Sequence, residues 1–569
     1  MQKNRFIVAV SLILFGSLLA TFVQTDGGNI RVQDVRFAGS AGNLMSGHLY
    51  IPAGVDAANP APAILAIHGY INTRETQSGF AIEFARRGFV VLALDQTGHG
   101  YSDPPAFANA FGGPDGLAYL RTLAFVDKDR IGLEGHSMGG WAVQLAAATW
   151  PDHYASMVLE GSSTGTFGAP AGTPTTPKNL LVVFSLFDEF SGFMWGAPVP
   201  ADIVETDKLK NLFGTRQSVE PGVLYGDIAQ GTARKLAMPA VTHPGDHLSR
   251  DAIGAAVDWF ELTLDHKADL ASDEQVWYFK ELGTLIALLG LAGLMFPLVE
   301  WLVGVLGYTG ARTTPFSEPV GPRAVLNVVF AMFLPIVTFF PLQVFAPAWS
   351  LLPQQITNGI LMWAWGTGLV MLLAFWLWYR GQQLTLADLG LPLAKKPILN
   401  GLVLAGSCCA ILYLIVLGVD FFFNVDFRFW VVAVKAMSRD QIVMFLIYLP
   451  WFTVFFGILA LSLTTQMPRR ATLSGQMLFN GGVLSAGFVV LLLAQYIPLL
   501  LGGTMLIASQ PLLTIVAFQF VPLLFLVGLV LTFCHDKTGH LYTGIFLSSL
   551  FVTWYIVAGT ATQAVPWWF

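Results

Sequence analysis

The chain has 569 residues and a net charge of −6, and its charged fraction of 12% is about half of the roughly 25% that is usual for soluble domains. The slightly acidic balance, without a cluster of lysine and arginine, excludes a nucleic-acid-binding protein. Residues 282–569 hold only 18 of the 66 Asp, Glu, Lys and Arg residues, so the composition predicts a polar amino-terminal half followed by a membrane-embedded half.

An apolar run at residues 6–23 follows Lys3 and Arg5 and is long enough to cross a bilayer. The positive flank favours a cytoplasmic amino terminus, which places the chain that follows outside the cytoplasm. Because no A-x-A cleavage motif lies near Ala20, residues 1–24 are interpreted as a retained signal anchor, with a removed signal peptide as the alternative.

Residues 30–268 alternate strand-like and helical patterns. The patterns predict an edge strand at residues 44–51, buried strands at 63–67 and 89–94, and a helix at 79–87. The continuous apolar character of the two buried strands is typical of a parallel sheet covered on both faces. Each is followed by a polar loop, His68-Gly69-Tyr70 and residues 95–103, and α/β folds place their sites in such loops.

The stretch Gly-His-Ser-Met-Gly at residues 135–139 has the form G-x-S-x-G. It lies between a strand-like run at 130–134 and a helical pattern at 140–148, so it predicts a nucleophile elbow. Such a turn forces the serine hydroxyl out of the sheet, and the flanking glycines permit the tight bend. Ser137 is therefore the candidate nucleophile, the alternative being a glycine-rich turn that happens to contain a serine.

Three motifs follow one another in this order, namely His-Gly at 68–69, Asp-x-x-Gly-His-Gly-x-Ser at 95–102 and Gly-His-Ser-Met-Gly-Gly at 135–140. Together they resemble the α/β-hydrolase family, nearest to its dienelactone-hydrolase-like and peptidase-like serine esterases. The resemblance covers residues 33–264. It implies an α/β-hydrolase domain, a mostly parallel sheet flanked by helices. The apolar second half of the chain predicts that an all-α polytopic transmembrane bundle follows this domain.

The resemblance also implies a catalytic triad in the order Ser, Asp or Glu, His. The backbone N–H groups of Tyr70 and Met138 are the oxyanion donors that it implies. We expect no cofactor.

The candidate acid is Asp188, because it follows the predicted strand 180–187 and orients the base in such a triad. Two carboxylates are alternatives. Glu189 is adjacent to Asp188, and Glu160 follows another predicted strand, at 155–159, where some relatives carry their acid.

The candidate base is His247, because Gly-x-His ahead of the last helix, 250–264, matches the family. His243, four residues earlier, is the alternative base. The two histidines have the spacing of a zinc pair, but no third ligand lies nearby in the sequence, so we expect no metal site.

An apolar and aromatic insert at residues 190–231 separates the acid from the base, and it is predicted to roof the pocket as a lid. Such a roof suits an acyl chain or a lipid, or else packs against the membrane half. The sequence leaves both open.

Residues 277–569 are predicted to form a bundle of eight further spans, near 283–307, 324–346, 359–379, 398–420, 441–464, 476–501, 511–533 and 541–560. The loops predicted to be cytoplasmic hold ten basic residues, namely Lys3, Arg5, Arg312, Arg323, Arg380, Lys395, Lys396, Arg469, Arg470 and Lys537. The short outer loops hold only Arg428, Lys435 and Arg439. This asymmetry supports an extracytoplasmic hydrolase domain on an inner (plasma) membrane.

Two features of the bundle stand out. Residues 427–435 of the outer loop 420–440 are predicted to lie along the interface beneath the hydrolase domain. Ionisable residues are nearly absent from the spans, Glu300 being the clearest case, which argues against a coupled transporter.

The function predicted from the sequence is a membrane-embedded serine hydrolase that cleaves carboxylic esters, lipid or acyl esters included, through an acyl-enzyme on Ser137. The expected partners are a small-molecule or lipid ester and the lipid bilayer. A serine peptidase or acyltransferase on the same triad is one alternative, since an acyl-enzyme can pass its acyl group to water, an amine or an alcohol. A transport or scaffold protein with an accessory hydrolase domain is the other.

Overall fold

The computed structural model describes residues 2–308, 321–344 and 352–565. Within them an eight-stranded sheet with flanking helices is followed by long apolar helices. The sheet region is called the sheet domain below, and the long helices are called the bundle.

The strands of the sheet domain are β1 (Ile30–Ala38), β2 (Leu44–Pro52), β3 (Ala61–Ile67), β4 (Val90–Asp95), β5 (Val126–His136), β6 (Ser156–Glu160), β7 (Leu180–Val183) and β8 (Arg234–Ala237). Their spatial order is β1-β2-β4-β3-β5-β6-β7-β8, and only the pairs β1–β2 and β2–β4 are antiparallel. The prediction of an edge strand at 44–51 is wrong, because β2 pairs with β1 on one side and β4 on the other. The central strands are buried on both faces, which explains their continuous apolar sequence.

Four helices cover the sheet, namely α2 (Ser78–Arg86), α3 (Gly113–Thr122), α4 (Met138–Thr149) and α7 (Arg250–Thr263). Side chains of α3 and α4 belong to the core on one face, and those of α2 and α7 to the core on the other. Two short helices, α5 (Ser191–Trp195) and α6 (Asp207–Phe213), lie within the predicted insert. The sheet domain thus has the layered α/β architecture expected from its motifs.

The bundle consists, in the described residues, of α1 (Gln2–Gln24), α8 (Trp277–Val305), α9 (Gly321–Gln343), α10 (Gln355–Tyr379), α11 (Lys395–Phe423), α12 (Arg439–Thr465), α13 (Leu473–Leu500), α14 (Pro511–Thr538) and α15 (Tyr542–Ala558). Each predicted span overlaps one of these helices, although positions 345–346 of the second lie outside the described residues. Eight of the helices described, α1 and α8 to α14, are long and apolar enough to cross a membrane, whereas α15 has 17 residues. These lengths support an integral membrane protein.

The intramembrane carboxylate Glu300 has two cationic partners. Its oxygens lie 3.2 Å from the guanidinium of Arg5 on α1 and 3.3 Å from the ammonium of Lys537 on α14. The charge of Glu300 is thus paired between three helices near their ends.

Small residues bring α1 and α8 into backbone contact. A Cβ added to Gly16 would lie 2.6 Å from the backbone nitrogen of Ala287, and one added to Gly283 would lie 2.8 Å from that of Ala20. Close approach at small residues is the usual way in which transmembrane helices associate. Helix α1 is therefore packed as a member of the bundle and does more than tether the sheet domain.

Replacing Gly16 by isoleucine should lower the thermal midpoint of the detergent-solubilised protein, because overpacking of this kind costs about 1–3 kcal/mol. The measurement is intrinsic-fluorescence unfolding of the full chain. Gly293→Ile is the matched control, since Gly293 lies on α8 with no atom within 4 Å of an added Cβ. Equal shifts in the two variants would contradict the packing argument.

Candidate active site

Ser137 occupies the sharp turn between β5 and α4. Its backbone angles are φ 53° and ψ −118°, in the positive-φ region that side chains other than glycine rarely adopt. A Cβ on Gly135 would lie 2.6 Å from the backbone nitrogen of Gly140, and one on Gly139 would lie 2.6 Å from the carbonyl oxygen of His68. The glycines are thus required for the turn that holds the Ser137 hydroxyl at the carboxyl edge of the sheet.

The two predicted oxyanion donors lie beside this turn. Met138 is the first residue of α4, so its N–H has no acceptor within the helix. Tyr70 follows Gly69, whose added Cβ would lie 3.1 Å from the Cβ of Ser137. Tyr70, Ser137 and Met138 line the same cavity, as an oxyanion hole requires.

Asp188 and His243 form the hydrogen-bonded carboxylate–imidazole pair of the site. Asp188 Oδ2 lies 2.8 Å from His243 Nδ1, and its Oδ1 accepts a hydrogen bond from the backbone N–H of Phe190 at 2.7 Å. The acid loop and the base loop are held side by side by a parallel bridge between Phe187 and Thr242, the residues just before this pair. The Asp188 side chain has no exposed surface, and the His243 side chain is 6% exposed.

The structure brings His243, and not the expected base His247, into contact with Asp188. The ring of His247 packs against those of His136 and Phe80, at centroid distances of 4.0 and 6.4 Å, and neither of its nitrogens finds a hydrogen-bond partner among the described residues. Residues 243–248 form a 3₁₀ turn that begins at His243, and the His243 ring also lies near His136, at a centroid distance of 4.7 Å. Burial lowers the pKa of His247 to about 3, and this ring is a neutral packing element.

Glu189 holds the base loop by its backbone. Its Oε2 accepts a hydrogen bond from the His243 N–H at 2.7 Å, and its Oε1 accepts one from the Tyr496 hydroxyl of α13 at 2.5 Å. Burial, with the nearby charge of Asp188, raises the pKa of Glu189 to about 7. Glu189 therefore holds the His243 backbone in place and makes no contact with the His243 ring that would orient it.

Glu160, the other alternative acid, lies at the end of β6 beneath the elbow. Its backbone oxygen accepts a hydrogen bond from the Ser137 N–H at 2.7 Å, while its carboxyl oxygens have no partner among the described residues. Burial, together with the charges of Glu134 and Asp246, raises the pKa of Glu160 well above its usual range. A neutral, buried carboxyl of this kind does not orient a base.

The charge of His243 is set by its acidic neighbours. Burial alone would lower the pKa of the ring, but the charge of Asp188 and its hydrogen bond outweigh burial and raise that pKa above the usual value. Glu189 and Asp246 act in the same direction. His136 Nε2 lies 2.9 Å from the His243 carbonyl oxygen, so His136 has a structural role in the base loop.

The cavity around Ser137 and His243 has a volume of about 370 Å³ and is shared between the sheet domain and the bundle. The predicted insert contributes Phe190, Phe193 and Met194 to one wall. The bundle side contributes a further wall, which includes Arg428, Trp430, Lys435, Leu512 and Ile515. The cavity size and mixed lining are typical of a small-molecule site.

The segment 424–438 between α11 and α12 reaches the base loop directly. It contains a short hairpin, β9 (Phe427–Phe429) and β10 (Val432–Val434), and the Trp430 indole at its tip donates a hydrogen bond to the Pro244 carbonyl oxygen at 2.9 Å. Its aromatic and charged sequence indicates an interface segment, but its place in the site follows only from the fold. In the described residues no group of three or more His, Cys, Asp or Glu side chains is arranged to hold a metal ion.

Residues 62–272 match the family model described as alpha/beta hydrolase fold. These residues form an α/β-hydrolase domain. The match and the sheet topology confirm the predicted fold class and resemblance. They support a hydrolase in the broad sense. From here on, the sheet domain is called the hydrolase domain.

Solved structures resemble parts of the chain. A hypothetical protein from Pseudomonas aeruginosa is 26% identical, with 23% of this chain and 43% of that protein covered and a TM-score of 0.22. An esterase of Pyrococcus furiosus is 12% identical, with 42% of this chain and 95% of the esterase covered and a TM-score of 0.30. Epoxide hydrolase A from Mycobacterium thermoresistibile is 18% identical, with 25% and 42% covered and a TM-score of 0.21.

The chain spans less than half of the Pseudomonas and Mycobacterium proteins. A comparison with curated protein sequences gave no match.

Replacing His243 by asparagine should slow the reaction of Ser137 with a fluorophosphonate by about 10²-fold or more, because the base no longer removes the hydroxyl proton. His247→Asn is the matched control and should react at close to the wild-type rate. The measurement is the labelling rate of the full-length protein in a neutral detergent. Loss of labelling in His247→Asn with retention in His243→Asn would restore His247 as the base.

Proposed function

We propose that the protein is a serine hydrolase that cleaves carboxylic esters with apolar acyl chains. The observation that carries the proposal is the 2.8 Å Asp188–His243 contact at the wall of the cavity that Ser137 lines. A serine hydroxyl needs a base, and the base needs an acid that holds its tautomer and orientation.

The chemistry follows from these groups. The Ser137 Oγ attacks the acyl carbonyl carbon while His243 Nε2 takes the hydroxyl proton, and the carbonyl oxygen becomes an oxyanion that the N–H groups of Tyr70 and Met138 stabilise. His243 then donates that proton to the alkoxide oxygen as the ester C–O bond breaks, which leaves an acyl-enzyme. In the second half, a water molecule attacks the acyl carbonyl carbon while His243 takes its proton. His243 then donates that proton to Ser137 Oγ as the acyl C–O bond breaks, which releases the carboxylic acid. Asp188 accepts the Nδ1–H bond throughout and stabilises the imidazolium.

An aromatic cluster supports an apolar acyl chain. The Trp141 ring, on the first turn of α4 after Ser137, lies 5.2 Å from that of Phe167 and 6.0 Å from that of Phe193. Phe107 extends the cluster, with its ring 5.7 Å from that of Phe167. All four side chains line the cavity, and burial of an alkyl chain against them contributes about 0.8 kcal/mol per methylene.

The bundle supports a membrane-derived substrate and an extracytoplasmic site. The hydrolase domain contacts the carboxyl ends of α11 and α13 and the segment that follows α15. Examples are Tyr101 to Asp420 at 3.0 Å and Ala106 N–H to the Thr562 carbonyl at 2.6 Å. The opposite ends of the helices carry most of the basic residues, such as Arg380 and Lys395, while Arg312 lies outside the described residues. Under the positive-inside rule that opposite end is cytoplasmic.

Ser137→Ala should lower the hydrolysis of p-nitrophenyl octanoate by about 10³-fold or more, since the acyl-enzyme cannot form. Ser40→Ala, at an exposed position, is the matched control and should keep wild-type activity. The assay is release of p-nitrophenol by the full chain in detergent. Full esterase activity in Ser137→Ala would overturn the proposed function.

The pH dependence of kcat/KM should reflect the protonation of His243. Because its pKa is raised by Asp188, kcat/KM should fall as the pH drops through a midpoint above about 6.5, the ordinary histidine value, where the protonated ring can no longer act as base. In Asp188→Asn burial then dominates, so the midpoint should move to lower pH while activity falls. Glu189→Gln should move it less, because the carboxylate of Asp188 has the larger effect. An unmoved midpoint in Asp188→Asn would contradict the assignment.

A further inference from the structure

The charged side chains that line the cavity are both cations. They are Arg428 and Lys435, from the bundle segment 424–438, and no Asp or Glu among the described residues lines it. An acyl chain does not need a cation, so the charge indicates a second, anionic part of the substrate.

Arg428 already has its counter-ions. Its guanidinium lies 2.6 Å from Asp426 and 3.6 Å from Glu75, and it donates a hydrogen bond to the Thr73 hydroxyl at 3.3 Å. Thr73 belongs to the loop that carries Tyr70, so Arg428 fixes the bundle segment against the oxyanion loop. Its charge is largely neutralised in place.

Lys435 differs, because its ammonium makes no hydrogen bond or ion pair with any described residue. The side chain is 9% exposed and lies in strand alternation with Val431 and Ala433, which line the same cavity. Its backbone is held by the Trp554 indole, which donates a hydrogen bond to the Lys435 carbonyl at 2.8 Å. The three N–H donors of the ammonium have no acceptor among the described residues, and an anion in the cavity would supply one.

Burial lowers the pKa of Lys435, while the charges of Glu75 and Asp95 oppose that effect. These carboxylates lie outside hydrogen-bonding reach of the ammonium. They favour the charged form of the lysine without occupying its donors, which leaves the three N–H groups available to a ligand.

The cationic and apolar parts belong to different elements. The aromatic cluster is built on Trp141, after Ser137 on α4, whereas the cations belong to the bundle segment that contacts Thr73. An ester carbonyl at Ser137 can therefore have its acyl chain on the aromatic side and its alcohol part on the cationic side.

We propose, resting on the proposed function, that the substrate is an acyl ester whose alcohol part carries a phosphate or carboxylate group, and that Lys435 binds this anion. Lys435 determines specificity by contacting the substrate and takes no part in the proton transfers. The bundle thus selects the head of an amphiphile while the hydrolase domain cleaves its ester.

The test is protection of Ser137 from a fluorophosphonate by amphiphiles of one chain length, in full-length protein in a neutral detergent. Dodecyl phosphate and dodecanoate should protect at lower concentration than dodecanol. Lys435→Met should raise the half-protecting concentration of dodecyl phosphate about 10- to 100-fold, the effect of one charge-assisted hydrogen bond, and change that of dodecanol by less than about 2-fold. Lys435→Arg should retain most of the protection.

Controls separate the two proposals. Lys178→Met removes an exposed ammonium of the hydrolase domain and should behave as wild type. The thermal midpoint of Lys435→Met shows whether the variant folds, and its protection is expressed relative to its own labelling rate without competitor. Lys435→Gln repeats the test with a polar side chain of smaller volume. Absence of labelling in the wild type would overturn the proposed function itself.

Two results would overturn the proposed anionic amphiphile as substrate while labelling persists. One is equal protection by dodecyl phosphate and dodecanol in the wild type. The other is protection by inorganic phosphate as strong as that by dodecyl phosphate, which would make the ligand a free phosphate instead of the head of an amphiphile.

Discussion

The buried carboxylate of Asp188 is the constraint on which the site depends. Having no exposed surface, it must be matched within the protein, and the His243 ring and the Phe190 N–H provide that match. The same contacts hold the acid and base loops together at the carboxyl edge of the sheet, opposite the strained turn of Ser137. Charge pairing, backbone strain and the proposed chemistry thus meet at one edge of β5 to β7.

The bundle reaches each of the loops that carry these groups. Tyr496 bonds to Glu189 beside the acid, Trp430 to Pro244 beside the base, and Gln563 to the hydroxyl of Tyr70 beside the oxyanion site. A single anchor helix would tether a hydrolase domain without any of these contacts. The extra helices therefore form a second wall of the cavity and contact the loops that carry the acid, the base and the oxyanion donor.

Much of the fold could be predicted from local sequence patterns. The G-x-S-x-G turn is encoded by steric requirements of its own glycines, and the long apolar runs predict α8 to α15 because a bilayer demands such lengths. Asp188 could be predicted from the sequence, as a carboxylate at the end of a predicted strand. The edge strand was misplaced, because β1 alternates weakly and nothing in the sequence of β2 shows that it has a neighbour on each side.

The α/β-hydrolase domain, the elbow at Ser137 and the helical spans could be predicted from local sequence, since each depends on residues close together in the chain. Which of His243 and His247 meets Asp188 follows only from the three-dimensional fold, because the 3₁₀ turn at 243–248 sets the ring that contacts this carboxylate 55 positions away. The fold also decided that Lys435 shares a cavity with Ser137, since contacts between two domains have no signature in either one alone.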